Sequence, residues 1–216
     1  MKAVLVVNNG VEINDVEIPK PKSNEVLVKV FACGLNRADL MVADGGIHGD
    51  SGGSETIVGM EFSGEVVNIG NEVKELSIGD RVMCSGSSAW AEYAITDWGR
   101  VIKIPDNNMD FDTACTYPIA LGTMHNAIIT TGEFAKGQSI LIQGASSGVG
   151  MMGLQIAKYM QAQIVIGTST KTEKHDKLKQ MGADVIFNSK DPSWVDEVLN
   201  LTNGEGVDLI VDQLSG

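Results

Sequence analysis

Over the first hundred residues, apolar positions alternate with polar ones or run on for only a few residues. Segments 2–8, 25–32, 61–68, 81–84 and 90–96 each have the length and side-chain pattern of a β-strand. The stretch 19–24, which holds two prolines, and the Gly79-Asp80 pair read as turns between them. Several short strands at this spacing predict a small barrel or sandwich. The stretch 44–54 holds five glycines and two serines and reads as a mobile loop.

From about residue 109 the period changes. Segment 112–131 reads as a helix interrupted near Pro118 and Gly122, and strict alternation follows. A strand at 139–143 leads to a helix at 149–160, with Val149, Met152, Ile156 and Met160 on one face. A strand at 164–168, a helix at 172–181 ending at Gly182, a strand at 185–187, a helix at 194–201 and a strand at 207–211 complete the series. Such an order implies a parallel, doubly wound sheet. The expected organisation is a β domain over 1–108 and an α/β domain over 109–216.

Composition narrows the function. The chain has 216 residues, 43% hydrophobic and 20% charged, as in a globular protein, and 28 acids against 16 bases give a formal charge of −12. That field repels phosphate backbones and anionic lipid, so no nucleic acid and no membrane is expected as a partner. Neither a membrane span nor a signal peptide is visible, and the expected location is cytoplasmic. Cys33, Cys84 and Cys115 are too few and too scattered for a disulfide framework or a zinc knuckle, which leaves free thiols.

The chemistry concentrates in Gly144-Ala145-Ser146-Ser147-Gly148-Val149-Gly150, between a buried-type strand and a helix. Free N–H groups and partial positive charge at the helix N-terminus suit a pyrophosphate. The glycines permit a tight turn and close approach, and the serines add hydroxyls. The same string contains G-x-S-x-G, the nucleophile elbow of serine hydrolases. That reading needs an acid and then a histidine downstream, and the only later histidine is His175, with Glu173 the only acid between. The string is also similar to the opening fingerprint of short-chain dehydrogenases, but none of Tyr93, Tyr117 and Tyr159 has a lysine four residues later.

Five ordered motifs carry a wider resemblance: Gly34-Leu-Asn-Arg-Ala-Asp-Leu40, Gly59-Met-Glu-Phe-Ser-Gly-Glu-Val66, Gly79-Asp-Arg-Val82, Ala91-Glu-Tyr93, and Leu141 to Gly150. Together they resemble the zinc-independent quinone oxidoreductases of the medium-chain dehydrogenase/reductase superfamily. The resemblance implies an N-terminal GroES-like β domain, a partial Rossmann domain (a doubly wound parallel sheet), and an active site in the cleft between them. It also implies hydride transfer from NADPH to a quinone or enone, in a parent enzyme that is a homodimer.

Zinc-dependent relatives have cysteine and histidine where this chain has Asn36 and Met60. An amide and a thioether do not replace thiolate and imidazole at a catalytic zinc, so no metal is expected. By resemblance Asn36 faces the cleft and bonds the substrate carbonyl or ribose; its plain alternative is a turn-forming side chain. Asp39 reads as stabilising that turn. His48 falls near a tyrosine of relatives and is either a proton donor or a solvated side chain. Thr123 matches a threonine near the nicotinamide, or else bonds within its own helix.

Dehydrogenases that use NAD usually carry an acid at the end of the second strand. Here that place reads Gly167-Thr168-Ser169-Thr170-Lys171, with Lys174 and Lys177 beyond, which predicts NADP(H) through hydroxyls and positive charge, although the lysines also suit a solvated helix face. The family's fold runs on past the fourth Rossmann strand. A truncated sequence is therefore expected, the alternative to a working reductase being a catalytically incomplete NADP-binding fragment or sensor.

Overall fold

The computed structural model describes residues 1–7, 10–48, 51–105 and 108–214, and it divides into two compact units, Met1–Ile119 and Ala120–Gly216.

The first unit is built on antiparallel strands. β1 (Lys2–Val7) pairs with β2 (Gly10–Asp15). β3 (Glu25–Cys33) then leads into α1 (Arg37–Ala43) and a two-residue hairpin, β4 (Ile47–His48) with β5 (Ser51–Gly52). Four further strands follow: β6 (Glu61–Ile69), β7 (Arg81–Ser85), β8 (Tyr93–Asp97) and β9 (Val101–Lys103). They form with β3 a five-stranded sheet in the order β8-β3-β6-β7-β9, antiparallel throughout. Val26 and Val28, two apart on β3, point to one face and meet Phe62, Val66, Val82, Cys84 and Ala94 in a fully buried core. A smaller cluster of Val6, Val42 and Val58 fastens α1 to β1.

α2 (Phe111–Ala114) and α3 (Pro118–His125) occupy the segment expected as one broken helix. The break falls where expected at Pro118, whose fixed φ suits the first turn of a helix. Gly122 makes no break. The helix runs through it and ends in a π-helical turn, Asn126–Thr131.

The second unit contains the alternating series: β10 (Ser139–Ile142), α4 (Gly148–Tyr159), β11 (Ile164–Thr168), α5 (His175–Gln180), β12 (Val185–Phe187), α6 (Trp194–Leu201) and β13 (Leu209–Val211). A 3-10 turn, Thr172–Lys174, precedes α5 where the sequence suggests helix from 172. All pairs are parallel and the order is β12-β11-β10-β13. Ile140 and Ile142 face α4 and the main core with Leu154, Ala157 and Leu178, whereas Leu141 faces the other side with Ile166 and Val198 of α6. The sheet is therefore covered on both faces, and its direction of growth reverses at the β10/β13 junction, where ligands bind in such folds.

Three local expectations need correction. The stretch 44–54 is not wholly loop, because β4 and β5 pair within it. The buried face of α4 is Gly150, Gly153, Leu154 and Ala157, while Val149, Met152, Ile156 and Met160 pack at its margin. Small residues bring the helix axis close: a Cβ at Gly153 would lie 3.0 Å from Met124 Sδ and 3.1 Å from Ile142 Cδ1. The strand expected at 90–96 begins only at Tyr93.

Candidate functional site

In the second unit, β10 delivers the chain into the glycine loop at the β10/β13 junction. The Gln143 N–H donates to the Val211 carbonyl at 3.0 Å, and Gln213 Nε2 donates to the Gln143 carbonyl at 3.0 Å. Gly144 turns with φ +64°, the left-handed region that side chains disfavour. The buried Ala145 donates its N–H to the Thr168 carbonyl at 2.9 Å, which ties the loop to the end of β11. Ser147 is the N-cap of α4, its Oγ accepting the Gly150 N–H at 2.9 Å. Gly150 sits against the Gly144 carbonyl with no room for a Cβ. At Gly148 a Cβ would meet nothing within 4 Å among the described residues. The loop is thus held closed from behind and left open at Gly148, where the first N–H groups of a 12-residue helix lack acceptors within that helix. Such a cradle accepts a phosphate.

The end of β11 divides its predicted ligands into two sets. Thr168 is fully buried, with Oγ1 3.4 Å from the Gly144 N–H, so it supports the loop from below. Ser169 is buried too, and its Oγ accepts the Lys171 N–H at 3.1 Å. Thr170 and Lys171 are exposed and Lys174 is half-buried. No carboxylate occurs between Thr168 and Thr172.

In the first unit the Gly34–Leu40 and Gly59–Val66 motifs meet. Asn36 is the N-cap of α1, and its N–H donates to Asp39 Oδ2 at 2.7 Å, as the turn-stabilising role of Asp39 requires. The Asn36 side chain turns to Glu61: Nδ2 donates to Oε1 at 2.8 Å. Glu61 Oε2 accepts the Ile119 N–H at 2.9 Å, in the first turn of α3. Gly34 leaves the space in which the carboxylate lies, since a Cβ there would overlap Oε1.

The two carboxylates of this cluster are buried. Burial pushes the Glu61 carboxyl above the usual range, against the pull of the Ile119 and Asn36 hydrogen bonds. Burial also raises Asp39, whose Oδ1 has no partner among the described residues; the Asn36 N–H and the His48 charge oppose that shift. The nearby thiols are free: burial raises Cys33, and burial with Glu61 pushes Cys115 up to about 11.

His48 stands exposed on β4, and Thr123 is exposed on α3. Glu61 is the residue that sequence reasoning passed over. Its signal is an acid between the apolar Met60 and Phe62 at the start of β6. The hydrolase reading fails on geometry: Ser146 is not among the residues with positive φ, as a strained elbow would place it, and His175 Nε2 is buried without a hydrogen-bond partner among the described residues.

Two family models match the chain, the alcohol dehydrogenase GroES-like domain over residues 22–106 and the zinc-binding dehydrogenase over 148–216. A mycobacterial quinone oxidoreductase superposes with a TM-score of 0.88 at 26% identity, covering 100% of this chain and 68% of that one. The chain belongs to the medium-chain dehydrogenase/reductase superfamily. Within the superfamily it is quinone oxidoreductase-like. The mycobacterial protein Rv1454c complexed with NADPH matches with the same TM-score, identity and coverage. CurK enoyl reductase matches with a TM-score of 0.90 at 26% identity, over 100% of this chain and 68% of that one. By sequence, the chain is 32% identical over 203 residues, 93% of its length, to the low-reducing polyketide synthase drtA of Aspergillus calidoustus. It spans 8% of that synthase.

Proposed function

We propose that this superfamily member transfers hydride from NADPH to a quinone or an enone-type carbonyl compound without zinc. The observation that carries the proposal is the open cradle at Gly148, next to a strand end with hydroxyls and lysine but no carboxylate. The N-terminus of α4 receives the pyrophosphate of the dinucleotide, and Thr170 and Lys171 receive its 2′-phosphate. Thr168, Ser169 and Ser147 hold the backbone that does so. The cofactor, when bound, supplies the hydride. The protein's part is orientation and exclusion of water, with Asn36, His48 and Thr123 as the side chains proposed to meet nicotinamide and substrate.

The donor set supports a zinc-free site. Asn36 offers an amide already bonded to Glu61, and Met60 offers a thioether. Among the described residues no three His, Cys, Asp or Glu side chains gather as a metal site. The enoyl reductase likeness supports an electron-poor double bond as the acceptor, alongside quinones.

The test is to follow 340 nm absorbance of the purified chain with NADPH after adding 9,10-phenanthrenequinone or an α,β-unsaturated ketone. Acceptor-dependent oxidation of NADPH is expected. NADPH binding without oxidation of any acceptor would establish the rival reading, a nucleotide-binding module without turnover.

A further inference from the structure

An asparagine amide presents a donor at one end and an acceptor at the other, and which end a ligand meets is fixed by what holds the opposite end. At Asn36 the holding group is Glu61. An ionised carboxylate has only acceptors, so the favourable arrangement is the one found, Nδ2 on Oε1 at 2.8 Å. The carboxylate cannot swing away, because Oε2 is tied to the Ile119 N–H at 2.9 Å and the Gly34 backbone closes the near side. Glu61 is buried, and a mispaired oxygen there would find no water in exchange.

We infer that Glu61 is a positioning residue that locks the Asn36 amide with its nitrogen on Glu61 and its oxygen turned to the opposite side, at the N-terminus of α1, so that Asn36 meets a bound ligand through an acceptor. The group it recognises is then a hydroxyl or an N–H, of the kind a ribose or a carboxamide offers, and it does not polarise a substrate carbonyl. This rests on the proposed reductase reading only for the identity of the ligand; the orientation itself is a property of the free protein.

The tests exploit the asymmetry of glutamine. In Glu61→Gln the side-chain oxygen keeps the Ile119 N–H, so the new NH2 faces Asn36 and the amide turns over, presenting its nitrogen. In Asn36→Asp two carboxylates face each other. In the double variant Asn36→Asp/Glu61→Gln the pair is restored in reverse: the NH2 introduced at position 61 donates to the carboxylate introduced at position 36, whose other oxygen is again an outward acceptor.

Two readouts are needed, with the thermal midpoint of every variant as the folding control. The Asn36 side-chain NH2 signal in a 15N-correlated NMR spectrum of the ligand-free chain, identified by its loss in Asn36→Asp, is expected to move in Glu61→Gln. NADPH fluorescence titration is expected to show affinity lowered about three- to tenfold in each single variant, the range of one hydrogen bond, and recovered to within about twofold in the double variant. An unmoved NH2 signal, or a double variant no better than the worse single, overturns the inference. If the wild-type chain binds no NADPH while the NMR signal moves in Glu61→Gln, the lock stands and the reductase reading fails.

Discussion

Gly150 lies against the carbonyl oxygen of Gly144 so closely that a Cβ at 150 would overlap it, whereas a Cβ at Gly148, two residues earlier, would touch nothing among the described residues. Within one motif, Gly150 is therefore required by packing, which Gly148 is not.

Gly150→Ala should destabilise the second unit by about 2 kcal/mol, as overpacking against backbone does, and lower the melting temperature by roughly 5 °C or more. Differential scanning calorimetry checks it. A midpoint within a degree of wild type would show that the loop accommodates a side chain.

Gly34→Ala should act in the same way in the first unit. Its Cβ displaces the Glu61 carboxylate, breaking the bonds to Asn36 and Ile119 together, at a cost of about 1–3 kcal/mol. Denaturant unfolding measures this directly.

The pH dependence of stability has a definite sign. Glu61 and Asp39 are raised above their ordinary 4.5 and 3.8 by burial, so the folded state keeps their protons after the unfolded chain has lost them. Their contribution is fully present below the ordinary values and is lost as pH rises through the raised ones. Asp80, lowered chiefly by Lys103, and Asp208, lowered chiefly by Ser139, act oppositely and only at more acid pH. Melting temperatures from pH 4.5 upward should fall more steeply in wild type than in Glu61→Gln. Parallel profiles would contradict the burial argument.

Lys171→Ala should raise the Kd for NADPH about three- to fivefold and leave that for NADH unchanged, since an exposed lysine paired with a phosphate contributes about 1 kcal/mol or less. Equal losses for both nucleotides would mean that the lysine acts on something other than the 2′-phosphate.

The alternation of strand and helix after residue 139 was legible because each element carries its own local signal: apolar runs for β10 and β11, a glycine loop before α4, and a glycine after α5. β2 was not legible. Its apolar residues, Val11 and Ile13, are exposed, and it exists through backbone pairing with β1 rather than through burial. β9, three residues long, is too short to show a period. The closest contacts of α4 are made by Gly150 and Gly153, which carry no side chain for a hydrophobic pattern to show. The site shows the same division. The cradle was visible as a motif, but the burial of Thr168 and Ser169 beneath it, and the joining of Asn36 to Glu61 across 25 residues, depend on long-range packing that no local pattern encodes.

The most direct measurement is a fluorescence titration of wild type and Gly148→Ala with NADPH and with NADH, alongside their melting temperatures. Saturable binding that favours NADPH, weakened at least tenfold in Gly148→Ala with the melting temperature unchanged, is the predicted result. Absence of binding to the folded wild-type chain, or equal affinity in the two proteins, would contradict the assignment of the glycine loop as the dinucleotide cradle.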